Sequence, residues 1–318
     1  MAFDPATLRR DDYGFFGPDS PSWKVWASPT ALIGFQRAVT LEHFDPFLTA
    51  AVADSDGIYD NPRTRLDHTL SYFLLVALGD GRTAIQAAEH LMTVHASMTG
   101  IEPISGKRYS ANNPDSQLWI HVTGWHSVLK AYEMYGPGPL SPAEEDRYWA
   151  ECVIAAELQT CKPADVPRSR TQVREYFERV RPQLCASERA VRGMHYLLWT
   201  PPSKGLPFAV GSRLLALATI ATLPIWMREL GRFDQPRLIG PGVRLPAAAI
   251  AWLTSRRDNL GLIKAAPYIA PMTGQILAAH ARSGEPTTPR TITPAQAREL
   301  YGSKGHRSLW DHKVPETA

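Results

Sequence analysis

Three histidines, His68, His95 and His121, stand where helical rows would otherwise carry aliphatic residues. A neutral imidazole is the commonest protein ligand for a transition metal or a haem iron, so these positions are the strongest chemical signal in the chain. On the helix predicted from Thr83 to Thr99, the row Ala84, Ala88, Leu91, His95 and Met98 follows one face. His90 falls ~140° away, with Gln86, Thr93 and Ser97, at roughly 100° per residue. The spacing therefore predicts His95 inward and His90 toward solvent. Gly100 stands where a glycine would close this helix.

The helix before it opens at Asn61-Pro62 and closes at Gly79. One face carries Leu66, Leu70, Phe73 and Leu74. A neighbouring stripe carries Arg65, His68, Thr69 and Tyr72, at i, i+3, i+4 and i+7. A cation, an imidazole, a hydroxyl and a phenol on one strip have the parts for a reaction pocket; the same four also suit a solvated helix face. A third helix, from about Asp115 to Tyr135, places Leu118, His121, Trp125, Val128 and Tyr132 on one side. Trp125, one turn from His121, fits either ligand contact or simple packing. Each histidine taken singly also reads as a core imidazole bonded to a backbone carbonyl.

The elements that must position these side chains are helices. The chain has 318 residues, 44% hydrophobic, enough for one large core. Apolar periodicity runs without a low-complexity linker from Ala31 to about Ala281, and neither alternating β-branched runs nor βαβ spacing occurs. Ser141-Pro142-Ala143-Glu144 is a capping box that launches a helix to about Leu158. Further helices are predicted over 171–181, over 187–199 before Pro201-Pro202, and after Pro246. Ile101 to Pro114 reads as a loop. The expected class is all-α: a Pro/Gly-rich arm over 1–22, a single helical domain over 23–282 enclosing a pocket, and a Pro/Thr-rich extension over 283–318.

Several chemistries are excluded. The net charge of +3 is spread along the chain with no Lys/Arg block, which argues against nucleic acid. Cys152, Cys161 and Cys185 form no CxxC pair, which removes a zinc ribbon, a ferredoxin-type cluster and CxxCH haem attachment. Sparse cysteines and a polar N-terminus predict a cytoplasmic protein. The apolar stretch from Leu214 to Met227 is broken by Pro224 and shorter than the ~20 residues that a span needs, so it is expected as a buried core helix, with an interfacial segment as the alternative. There is no GxSxG, Walker loop or HExxH. Asp67 lies on the wrong side of its helix to complete a 2-His-1-carboxylate iron site.

An ordered set of short motifs resembles the MpaB/rubber oxygenase family. It runs through Phe16-Gly17-Pro18-Asp19-Ser20-Pro21, Arg65-Leu66 with Thr69 and Tyr72, and His95 with Gly100. Gly106 with Tyr109 and Ala111, Trp119-Ile120-His121-Val122, Tyr135-Gly136, Leu140-Ser141, Asp146-Arg147-Tyr148 and Pro201-Pro202 follow. Leu223-Pro224 with Trp226 and Arg228 closes the set. The resemblance implies non-covalent haem b and O2-dependent oxidation of a hydrophobic small molecule, with oxidative C=C cleavage as the leading reaction. It implies His95 as proximal iron ligand, Arg65, His68 and Thr69 on the distal side, and His68 as a candidate sixth ligand. His121, Tyr72 and Trp125 are implied near the cofactor. A haem peroxidase or peroxygenase, and a haem carrier without a substrate, are the alternatives. Three features depart from the family pattern: Asp45 stands in place of a histidine, Thr99 in place of an arginine, and the chain beyond about Arg257 is unlike the family.

Overall fold

The computed structural model describes residues 8–55, 57–233, 239–255 and 267–303. Among them the chain is helical apart from one two-stranded hairpin. The helices in order are α1 (Pro21–Trp26), α2 (Ala31–Glu42), α3 (Pro46–Asp54), α4 (Gly57–Asp60), α5 (Pro62–Leu78) and α6 (Gly81–Ala96). The hairpin β1 (Thr99–Ile101) and β2 (Arg108–Ser110) follows, pairing Gly100 with Tyr109. Then come α7 (Pro114–Tyr135), α8 (Pro142–Ala156), α9 (Arg170–Val180), α10 (Glu188–Leu198), α11 (Leu206–Thr222) and α12 (Ile225–Leu230). The last are α13 (Ile239–Ser255), α14 (Pro271–Ser283) and α15 (Pro294–Tyr301).

Helix starts follow side-chain caps and prolines. Asp45, Asp80, Asn113, Ser141 and Thr293 each accept a backbone N–H of the helix they open. The expected capping box at Ser141 and Glu144 is present. The apolar stretch 30–53 is two helices, because Asp45 and Pro46 end α2's run and start α3.

The core is aromatic. Trp26 stacks on Phe73 with ring planes 9° apart and meets Phe35 and Trp125 edge-on. Helix α2 lies close on α7 at Gly34, where an added Cβ would come 2.5 Å from the Val128 Cα. Helix α5 packs against α6 and α1, and α14 packs on α5. Asp67 turns away from the α5–α6 interface and accepts the Met272 and Thr273 N–H groups at 2.8 and 3.0 Å, holding the start of α14.

Four expectations are corrected. Gly100 does not close α6; it lies in β1, where its missing side chain makes room for the Tyr109 ring. The 101–114 segment contains the hairpin, whose strands are too short for alternation to register. Helix α13 continues through Pro246 rather than starting after it. The stretch from Leu214 is not a wholly buried helix: α11 begins at Leu206 and exposes Leu206, Val210 and Leu214 along one face. No helix of the described residues is long and apolar enough to cross a membrane.

The chain ends clasp one another. Tyr13 N–H donates to the Arg290 carbonyl at 2.9 Å, Ile292 N–H to Gly14 at 2.9 Å, and Thr288 N–H to Asp11 at 2.8 Å. Phe15, Phe16 and Ile292 join the main core cluster. Arm and extension, read as flanks of a separate domain, therefore pack on it and on each other. The extension beyond residue 303 lies outside the described residues.

Candidate functional site

The N-terminal half of α5 and the C-terminal half of α6 diverge around a cavity of about 320 Å³, within the range of small-molecule sites. Helix α3 contributes Leu48, Ala51 and Val52, and α7 contributes Gln117 and Ile120. Much of the wall is apolar, with Leu91, Val94, Met98 and Phe73 completing it.

The stripe predicted on α5 lines this cavity: Arg65, His68, Thr69 and Tyr72 all do so. Arg65 donates from Nη1 to the Ser55 hydroxyl at 2.7 Å. Burial lowers its pKa, and nearby Glu42 raises it in part. Thr69 donates its hydroxyl proton to the Arg65 carbonyl at 3.0 Å, so its oxygen is left as an acceptor. Tyr72 is buried, and its hydroxyl has no hydrogen-bond partner among the described residues.

The histidines part ways. His95 lines the cavity half-buried, and burial, then the Arg65 charge, lower its pKa to about 4. It is therefore neutral at physiological pH, the ligand-competent form. Its Nδ1 lies 3.4 Å from Gln117 Nε2, which also donates to the Ala111 carbonyl at 2.6 Å. His68 is exposed at the cavity mouth rather than buried. His90, expected toward solvent, is half-buried and lines the same cavity, with its ring centroid 5.9 Å from that of His68. The physical reason is divergence of the two helices: a gap on one side of α6 admits side chains from more than one helical face.

His121 does not line the cavity. It is fully buried behind the wall, with Nε2 donating to the Cys152 carbonyl at 2.8 Å, and burial lowers its pKa to about 4. Trp125 lies in the aromatic core against Phe16, Trp26 and Tyr148, also away from the lining.

Among the lining residues not singled out as site residues in the sequence are Glu42 and His43. Glu42, at the end of α2, has its carboxyl raised to about 8 by burial, against the pull of Arg65. It holds a proton at neutral pH beside a guanidinium. His43 donates from Nδ1 to the Val39 carbonyl at 2.6 Å and packs on Gly193, where a Cβ would come 2.8 Å from its ring. The only sequence hint was their place in Leu41-Glu42-His43-Phe44-Asp45-Pro46, the segment that departs from the family pattern. Its Asp45 caps α3 through a 2.9 Å bond from Leu48 N–H.

Residues 23–255 match the catalytic-domain family described as ER-bound oxygenase mpaB/B'/Rubber oxygenase. The chain belongs to this family. The cavity lies wholly within the matched residues of this mpaB/rubber oxygenase domain, while the clasp of residues 8–14 with 287–292 lies outside them. Comparison with curated proteins and with solved structures found no match. Membership makes the chain an oxygenase-family protein, an oxidoreductase at the coarse level.

Proposed function

We propose that the α5–α6 cavity holds haem b non-covalently and that the chain oxidises a hydrophobic small molecule with O2. Oxidative cleavage of an electron-rich C=C bond is the leading reaction. His95 is the observation that carries this reading: a neutral imidazole on the wall of a mainly apolar cavity, within electrostatic reach of Arg65.

The donor set fits the cofactor. A porphyrin brings four in-plane nitrogens, so one or two imidazoles complete its iron. That requirement suits a site where, among the described residues, no three His, Cys, Asp or Glu side chains group to hold a metal ion. The same arrangement gives no support to a 2-His-1-carboxylate iron, because Asp67 is engaged at α14.

When bound, haem b supplies the oxidative chemistry at its iron. His95 would hold it, and His68 is the candidate second ligand. Arg65 would offer a positive charge to stabilise negative charge that builds during oxidation. Glu42 holds a proton next to Arg65 and can return or accept one near neutral pH. Leu48, Val52, Leu91 and Ile120 exclude water and accept apolar substrate. His121 and Trp125 support the wall from behind.

The purified protein is expected to carry an acid-acetone-extractable pigment that gives a b-type pyridine haemochrome. His95→Ala should lose the pigment and His90→Ala should keep it. Equal loss in both would remove His95 as the ligand, and a colourless chain that cannot be reconstituted with haemin would defeat the reading. Incubation with ¹⁸O2 and prenylated substrates should label the product without added peroxide. Turnover only with H2O2 would favour a peroxygenase, and no turnover with either would favour a haem carrier.

A further inference from the structure

The inner wall of the cavity is not apolar throughout. Tyr72, Gln117 and Gln159 line it, and each is only 2% exposed. Buried polar groups are almost always hydrogen-bonded, so unused capacity here calls for an account. The Tyr72 hydroxyl has no partner among the described residues. Burial, then Cys161 and Cys152, raise its pKa well above the usual phenol value, so it remains an O–H donor. Gln159 Oε1 receives a 3.8 Å contact from the Cys161 thiol, a weak donor, and the Gln159 side chain also hydrogen-bonds with His121. Gln117 donates to the Ala111 carbonyl, and its Nε2 lies 3.4 Å from His95 Nδ1, which leaves Oε1 as an acceptor.

We infer that this wall seats one neutral oxygen group of the substrate, a hydroxyl, so that the substrate is an apolar chain with an alcohol or phenol head rather than a pure hydrocarbon. A hydroxyl gives one proton and accepts others, which matches a wall offering the Tyr72 O–H and amide oxygens. A carboxylate is a poor match. The cation lining the cavity, Arg65, stands about 10 Å from Tyr72 along α5 and donates to Ser55, and a buried anion without a paired cation is costly. The same argument disfavours a haem propionate at this wall. This inference rests on the cavity being the substrate site, as proposed above.

The test uses the full chain, with and without reconstituted haem, and three matched probes: geraniol, its deoxy hydrocarbon 2,6-dimethylocta-2,6-diene, and geranic acid. Binding is read by tryptophan fluorescence and calorimetry, and in the loaded protein also by the Soret shift. The wild type should prefer geraniol over both analogues by about tenfold, the scale of one net hydrogen bond. Tyr72→Phe should abolish that preference while leaving hydrocarbon affinity and haem affinity unchanged; Gln159→Leu should reduce it. Equal wild-type affinity for alcohol and hydrocarbon would overturn the inference, since ordered water then satisfies Tyr72. Loss of haem in Tyr72→Phe, with alcohol preference kept, would overturn it in favour of a propionate contact. Alcohol preference in a chain that takes up no haem would sustain the inference while the haem reading fails.

Discussion

At pH 7 Glu42 is protonated in the folded chain, with its carboxyl raised to about 8, and it would be ionised in the unfolded chain. The folded state therefore holds a proton that the unfolded state releases between about pH 4.5 and 8. The stability linked to Glu42 is full below its unfolded pKa and is lost as pH rises through 8. His95, His43 and His121 act in the opposite sense, but only between about 4 and 6.5, where their unfolded forms take up protons. Between pH 6.5 and 8 the urea midpoint of the wild type should fall, and that of Glu42→Gln should stay flatter. Parallel curves would mean that Glu42 titrates normally. His121 makes a different demand. Its ring fills core space and satisfies the Cys152 carbonyl, so His121→Ala should cost about 3 kcal/mol in stability with haem affinity unchanged. Reduced haem affinity at unchanged stability would return His121 to the cofactor. Periodicity found both His95 and His121, because it reports inwardness. It could not tell a cavity wall from a filled core, because both are inward, and that difference depends on what the neighbouring helix leaves empty.

The element scale explains why the cavity lies where it does. Helices α2 and α7 touch backbone to backbone at Gly34, whereas α5 and α6 diverge around the Arg65 stripe. Gly34→Ala places a methyl against the Val128 Cα and the Ser127 carbonyl, neither of which can swing aside. It should destabilise the fold by about 2 kcal/mol, and calorimetry showing an unchanged Tm would disprove the tight α2–α7 contact. The helices themselves were legible: Asn61-Pro62 to Gly79 and Ser141 with Glu144 mark α5 and α8 as read. Gly100 was misread because a glycine after a helix serves a C-cap or a close ring contact equally well. The decision came from Tyr109, which only the hairpin brings near.

For the whole molecule, the sequence suggested a helical domain flanked by an N-terminal arm and a C-terminal extension. The structure joins those flanks at the α5–α6 connection. Arg10 donates to the Leu78 carbonyl at 2.7 Å, Asp11 N–H to the Asp80 carboxylate at 3.0 Å, and Gly14, at φ +68°, stands where an added Cβ would collide with the Gly79 carbonyl oxygen. These pairings span 68 and 69 residues and those of the clasp more than two hundred, and no local pattern announces either. Ending the chain after Ser283 should uncover Phe15, Phe16 and the Gly14 carbonyl and lower Tm by roughly 5 °C or more, the scale of about 2 kcal/mol in a chain this size. An unchanged melting curve would mean that the clasp contributes nothing. The clasp also bears on synthesis. Residues 287–292 are synthesised long after residues 11–14, which are their partners. Until that segment emerges, the N-terminal arm can pair with Leu78 and Asp80 but not with its later partners. The clasp over the connection between the two cavity helices therefore closes only after all the family-matched residues have been made.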